Sequence, residues 1–222
     1  MRLFGWLSSP PQNKREQLVA KVARELGGNI DPAHLRALLE VPRELFVRKE
    51  DTARSAEDVA LPLDEVGLAT ISAPHAYLLS FRLLGLAAGD HLVELGSGSG
   101  YGAALAAHIV GESGSVATFE IDPLLVTWAT TLLGRERNVT VIEQDAVASA
   151  HLWGEAKKIV CTFAVDAIPQ AWLDAIPEGG ALVAPVGPSG RDQRLVRVTR
   201  EGGQLSTHDH CAVRYVRNRS TL

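Results

Sequence analysis

Three glycines at alternate positions, Gly96, Gly98 and Gly100, close the stretch Glu94-Leu95-Gly96-Ser97-Gly98-Ser99-Gly100. An apolar run precedes it and the small-residue segment Tyr101–Val110 follows, so the loop joins a strand to a helix. Glycine suits such a turn because it takes positive φ without strain and lets backbone approach a ligand closely. The helix start beyond it presents N–H groups to an anionic or polar ligand. Twenty residues after Gly100 stands Glu120, at the end of the next apolar run. A carboxylate there is placed to grip both hydroxyls of a ribose. Asp145 ends the run after that and is placed to accept a hydrogen bond from an adenine amino group. Ser97, Ser99, Ile121 and Ala146 flank these groups. Together they describe an adenosine site. Which adenosine cofactor is left open: Gly98-x-Gly100-x-x-Ala103 fits the looser dinucleotide fingerprint, so an NAD-dependent oxidoreductase is one reading.

The elements that must position these groups alternate. His91–Leu95, Ser115–Ile121, Val139–Glu143, Lys158–Phe163 and Ala181–Val186 read as short buried strands, with helices at Tyr101–Val110, Leu124–Leu133 and Ile168–Ile176. Such alternation predicts an α/β fold, a doubly wound and mostly parallel sheet with helices on both faces. Arg194–Thr199 and Ala212–Val216 read as a terminal antiparallel pair. Ahead of the sheet, Gln12–Leu26 places Leu18, Val19, Val22 and Leu26 on one helical face and is closed by Gly27-Gly28. Asp31-Pro32 opens a second helix with Leu35, Leu38 and Leu39 turned inward, and Pro42 stops it. Residues 48–70 read as a long loop. The expected organisation is an N-terminal helical extension over 1–70 and a ligand-binding domain over 71–222, forming one continuous unit.

Composition narrows the function. The 222 residues carry 46% hydrophobic and 22% charged side chains, ordinary for a globular chain, and a net charge of −4. That charge offers no footprint for nucleic acid or an anionic membrane surface. Cys161 and Cys211 form no CxxC pair, so neither a disulfide framework nor a metal site is expected. The opening MRLFGWLSSPP has too short an apolar run for a signal peptide, and no stretch approaches roughly 18 apolar residues. A cytoplasmic protein is expected.

Several segments together resemble the protein-L-isoaspartate O-methyltransferase family, whose members have a Rossmann-like methyltransferase fold. Val41–Val47 (VPRELFV) is similar to its connector motif, and Thr70-Ile71-Ser72-Ala73-Pro74-His75 to its TIS-[AQ]-P segment. Val93–Tyr101 (VELGSGSGY) and Phe119–Pro123 (FEIDP) are similar to its two cofactor motifs. Glu178–Gly187 and Ala212–Val216 resemble its late strands. The resemblance implies S-adenosyl-L-methionine as cofactor, with Ala69, Thr70 and Ile71 lining its cleft. It implies that Glu94 and Gly96 to Gly100 surround the methionine end. Glu120 matches the ribose carboxylate, Ile121 the neighbour of the adenine, and Asp145-Ala146 the pair at the adenine edge. Ser72 matches the active-site serine.

Methyl transfer to a carboxylate needs alignment more than base catalysis, because the acceptor is ionised at pH 7. Ser72 would therefore hold the acceptor by a hydrogen bond. No G-x-S-x-G accompanies it, so a nucleophilic triad is not indicated. Without the resemblance, Ser72 reads as a helix N-cap before Pro74, and His75 and Tyr77 as packing residues.

The sequence departs from the family pattern at two places. Leu61–Ser72 is two residues longer than the usual LPIGFGQTIS, has one glycine fewer, carries Asp64 and Glu65, and has Ala69 where glutamine is usual. Arg217-Asn218-Arg219 replaces a Pro-Leu continuation. The implied acceptor is an acidic side chain of a protein or peptide, either isoaspartyl or an aspartate of a dedicated precursor peptide in natural-product biosynthesis.

Overall fold

The computed structural model describes residues 12–188 and 192–217, so the opening MRLFGWLSSPP and the tail positions Asn218 and Arg219 lie outside the described residues. The first helix, α1, is Gln12–Glu25. It buries Leu18 and Val22, and its charged residues lie mostly outward. Gly27 and Gly28, both at positive φ, return their N–H groups to Arg24 and Ala23 and end it. Helix α2, Pro32–Glu40, starts where the Asp31 carboxylate accepts the Ala33 N–H at 2.8 Å. Leu38 is buried as expected, but Leu35 and Leu39 are only half-buried. His34 and Ala37 take the inward positions, His34 by hydrogen-bonding the Leu86 carbonyl at 2.8 Å.

The stretch expected as a long loop contains structure. Arg43–Leu45 and Lys49–Arg54 are 3₁₀ turns. Strands β1 (Leu61–Pro62) and β2 (Thr70–Ile71) then pair antiparallel, Leu61 against Ile71 and Pro62 against Thr70. Two-residue strands carry no periodicity to read. What closes them is Asp64, whose carboxylate accepts the N–H groups of Leu68 at 3.0 Å and Ala69 at 2.8 Å. The acidic residue that departs from the family pattern is thus the clasp of this longer hairpin. Helix α3, Pro74–Leu84, follows and ends on Gly85 in the left-handed region.

The remaining elements are β3 (His91–Leu95), α4 (Tyr101–Val110), β4 (Ser115–Glu120), α5 (Pro123–Leu133), β5 (Val139–Glu143), β6 (Lys158–Cys161), α6 (Gln170–Ala175), β7 (Ala181–Val186), β8 (Gln193–Glu201) and β9 (Gln204–Val213). They build a seven-stranded sheet in the order β5-β4-β3-β6-β7-β8-β9. The first five of that order are parallel and the last two antiparallel. The chain moves outward from β3 through β4 to β5, then crosses to β6 on the other side of β3. That reversal opens a crevice at the carboxyl ends of β3 and β6, the usual ligand position of such sheets. One sheet face is covered by a core drawing on α1 to α5, including Leu78, Phe81, Leu105 and Ile109, and α1 and α2 share it with the sheet. The other face packs Trp153, Trp172 and Ile176.

The last strand corrects the expectation. It runs over Gln204–Val213, pairs along β8, and takes only Ala212 and Val213 from the expected Ala212–Val216. Gln204 to His210 are polar or exposed on an edge, so no inward alternation marks them. The backbone beyond turns back to the sheet, where the Val216 carbonyl accepts the Ala164 N–H at 2.8 Å.

Candidate active site

The cleft at the switch point gathers residues from the ends of β3, β4, β5 and β6, from β2 and from the segment after β9. Ala69, Thr70, Ile71, Gly96, Ser97, Gly98, Ser99, Glu120, Ile121, Asp145 and Ala146 all line it. Three residues named from the sequence do not. Glu94 is 1% exposed and points beneath α4, where it accepts Thr118 Oγ1 at 2.6 Å and the Ala103 N–H. Burial pushes its carboxyl up to about 8, so it serves as a neutral internal strut. Gly100 caps α4 with φ +94 and touches α5; an added Cβ would lie 2.7 Å from Leu133 Cδ1. Ser72 lines a neighbouring cavity with His75 and Tyr215, and Thr70 belongs to both cavities.

Gly96 and Gly98 make the loop a cradle. Gly96 has φ +95, and a Cβ there would sit 2.4 Å from Thr162 Oγ1. Thr162 in turn donates to the Gly96 carbonyl at 2.6 Å. Ser97 Oγ is joined to Thr118 Oγ1 at 2.6 Å. Ser99 lines the cleft, and its buried Oγ has no hydrogen-bond partner among the described residues.

The Glu120 carboxylate does more than wait for a ribose. Oε2 accepts the Gly98 N–H at 2.8 Å, and Oε1 accepts those of Ile121 at 2.9 Å and Asp122 at 3.1 Å. It therefore clamps the glycine loop to the end of β4. A carboxylate has about four lone-pair sites, so accepting these N–H groups is compatible with ribose contact. Asp145 caps the 3₁₀ turn Ala146–Ala148, its Oδ1 accepting the Val147 N–H at 2.9 Å, and this holds the carboxyl group at the cleft edge. The donors, acceptors and glycine cradle fit an adenosine cofactor. Replacing Glu120 by alanine is expected to weaken such a cofactor by about 1.5–3 kcal/mol. Stability should fall by about 1 kcal/mol as well, since three part-buried N–H groups lose their acceptor. Calorimetric titration paired with melting checks both; unchanged affinity in the folded variant removes Glu120 as the ribose ligand.

Sequence reading missed Thr162, Phe163, Tyr77, Val216 and Arg217 on the cleft wall. Thr162 and Phe163 directly follow β6, so the strand-end rule that found Glu120 pointed to them too. Tyr77 was assigned to packing, and it does lie against Tyr101 with ring centroids 5.6 Å apart. Its hydroxyl, however, accepts the Ser72 N–H at 3.2 Å. Burial pushes that phenol up to about 12, which leaves it a neutral positioning group rather than a base. The Ser72 carbonyl accepts from Arg43 at 3.1 Å, so the serine backbone is held from both sides. The N-cap of α3 is Ala73 with no side-chain bond, so Ser72 is not a helix cap.

His75 faces the same cavity and is anchored by Asp58, with Nδ1 3.0 Å from both carboxylate oxygens and the His75 N–H on Oδ1 at 3.0 Å. The Asp58 hydrogen bond raises the His75 pKa against its burial. Burial pushes the Asp58 carboxyl up, but the His75 hydrogen bonds together hold it below its usual range. Glu25 and Lys21 of α1 face the pair. A raised histidine stabilises below its unfolded pKa and ceases to as pH climbs through the folded value. A lowered aspartate stabilises above its unfolded pKa and ceases to as pH drops through the folded value. The pair should therefore contribute most between about pH 4 and 6.5. Asp58→Asn should lower the melting temperature most in that window and progressively less above it. A pH-independent difference would show the pair to be uncharged.

Comparison with known proteins matches this arrangement. The family model for protein-L-isoaspartate(D-aspartate) O-methyltransferase matches residues 13–221. A protein-L-isoaspartate O-methyltransferase of Bradyrhizobium sp. (strain ORS 278) is 35% identical over 216 residues, covering 93% of this chain and 95% of that protein. Protein-L-isoaspartate O-methyltransferase 2 of Archaeoglobus fulgidus is 36% identical over 207 residues, covering 91% of each. Among solved structures, a protein-L-isoaspartate O-methyltransferase superposes with a TM-score of 0.82 at 25% identity, over 91% of this chain and 65% of that one. A putative Plasmodium falciparum protein of the same description, in complex with S-adenosyl-L-homocysteine, shares the fold at TM-score 0.78 and 21% identity, over 92% and 98%. By sequence and by fold, the chain belongs to the protein-L-isoaspartate(D-aspartate) O-methyltransferase family.

Proposed function

We propose that this protein is an S-adenosyl-L-methionine-dependent O-methyltransferase that esterifies an isoaspartyl carboxylate in a protein or peptide. The observation carrying the reading is that one cleft joins the adenosine-type carboxylates Glu120 and Asp145 to the Thr70–Ile71 strand leading into Ser72, in a chain matching the family from end to end of the sheet. The cofactor, when bound, supplies a methyl group on a sulfonium and leaves as S-adenosylhomocysteine. Glu120 holds the ribose, Asp145 and Ile121 border the adenine, and Gly96 to Ser99 cradle the methionine end. Ser72 donates a hydrogen bond that orients the acceptor carboxylate toward the methyl carbon. The acceptor is already ionised, so no residue needs to remove a proton. The chain's contribution is alignment and exclusion of water.

A dedicated peptide acceptor is the second reading. It is favoured by the Asp64-clasped hairpin, which presents Val66 and Leu68 to solvent beside the cleft, 75% and 49% exposed. Such apolar residues suit a particular peptide better than an arbitrary damaged site. Two free cysteines and, among the described residues, the lack of any helix long and apolar enough to cross a membrane agree with action in the cytoplasm.

Titration with S-adenosylhomocysteine and with NAD tests the cofactor; tighter binding of NAD ends the methyltransferase reading. Labelled S-adenosylmethionine with an isoaspartyl peptide, against the same peptide with normal aspartate, tests the acceptor. Preference for isoaspartate supports repair, and failure of both peptides points to a dedicated substrate.

A further inference from the structure

Among the described residues, the cleft carries carboxylates at one end and a single cation at the other. Glu120 and Asp145 stand after β4 and β5, and Arg217 stands beyond β6, where its backbone bridges Ala164. Among the described residues that line the cleft, Arg217 alone is cationic. Arg217 is exposed. This is also where the sequence leaves the family pattern, with arginine in place of proline.

A guanidinium beside a cleft that receives a sulfonium cation repels it unless an anion comes between them. An arginine fork matches a carboxylate with two parallel hydrogen bonds. Two carboxylates reach this end of the cleft under the function proposed above: the amino-acid carboxylate of the cofactor and the carboxylate of the acceptor. The segment Tyr215 to Arg217 runs from the cavity of Ser72 into the cofactor cleft, so it borders both. We infer that Arg217 is a carboxylate-binding residue specific to this chain, closing the methionine and acceptor end of the cleft. The inference rests on the methyltransferase reading.

The test is Arg217→Gln beside Arg217→Ala, measured in two independent ways. Calorimetry with S-adenosylhomocysteine and with 5′-methylthioadenosine, which lacks the amino-acid tail, reads the cofactor arm without turnover. Methylation kinetics over a range of isoaspartyl peptide concentrations read the acceptor arm. If the cofactor carboxylate is the ligand, affinity for S-adenosylhomocysteine falls about tenfold or more while that for 5′-methylthioadenosine holds. If the acceptor carboxylate is the ligand, KM for peptide rises by about the same factor with cofactor affinity intact. Both variants behaving alike marks the charge as the cause. Affinity and KM staying within about twofold of the parent overturn the inference. A parent protein that binds neither adenosine compound sinks the methyltransferase reading instead, and is recognised before any variant is made.

Discussion

Replacing Ser72 by alanine is expected to slow methyl transfer about a hundredfold, the usual loss when one well-placed donor leaves a dry site, while cofactor affinity holds. The expectation rests on how the serine is held. Its N–H donates to Tyr77 at 3.2 Å and its carbonyl accepts from Arg43 at 3.1 Å, so the hydroxyl is presented from a backbone pinned on both sides. The alternative role of helix capping is excluded by Ala73 standing at the N-cap of α3. Melting should therefore change by less than about 1 kcal/mol, the worth of a cap. Ser72→Thr should restore part of the rate by restoring the donor. Single-turnover methylation and thermal melting decide it together. A variant with full activity and a lowered melting temperature would make Ser72 structural, and a covalently modified serine in mass spectra would make it a nucleophile.

Arg43→Ala is expected to be the most destabilising single change in the connector. The guanidinium is buried and donates to four backbone carbonyls, those of Ser55 at 3.2 Å, Glu57 at 2.9 Å, Val59 at 2.7 Å and Ser72 at 3.1 Å. Its charge centre lies 5.9 Å from the Tyr101 ring centroid. Truncation leaves those carbonyls without a donor, at about 1–3 kcal/mol for each one that water cannot reach. A total near 3 kcal/mol or more is expected, about 6–12 °C in melting for a chain of this size. Turnover should fall as well, because one of the four carbonyls belongs to Ser72. Arg43→Lys should recover little, since an ammonium cannot span four acceptors. A melting temperature within about 2 °C of the parent would show that the connector holds itself.

The same residues show what could be read in advance. VPRELFV was legible as a motif, but its arginine's task was not, because the four carbonyls come from residues 55 to 72 and meet only when the chain folds back. The Asp64 clasp was hidden for a related reason. Its partners lie four and five residues away in a hairpin whose strands are two residues long, below any readable period. Glu94 shows the converse. It stands in the glycine motif, yet the alternation of a buried strand turns it beneath α4 and away from the cleft.

The sequence by itself determined the parallel α/β sheet, the loop at Gly96 to Gly100, and the strand-end position of Glu120 and Asp145. Each of these follows from local pattern: apolar runs of strand length, glycines that permit positive φ, and polar residues where such runs stop. Tertiary structure alone decided that Glu120 clamps the loop it was expected only to face. It also drew the edge strand over Gln204–Val213, brought Tyr77 to Ser72, and carried Arg217 to the cleft. The clamp and the placing of Arg217 depend on contacts between segments far apart in the chain. Tyr77 reaches Ser72 across only five residues and β9 pairs with the strand just before it, but neither contact leaves a mark in local periodicity.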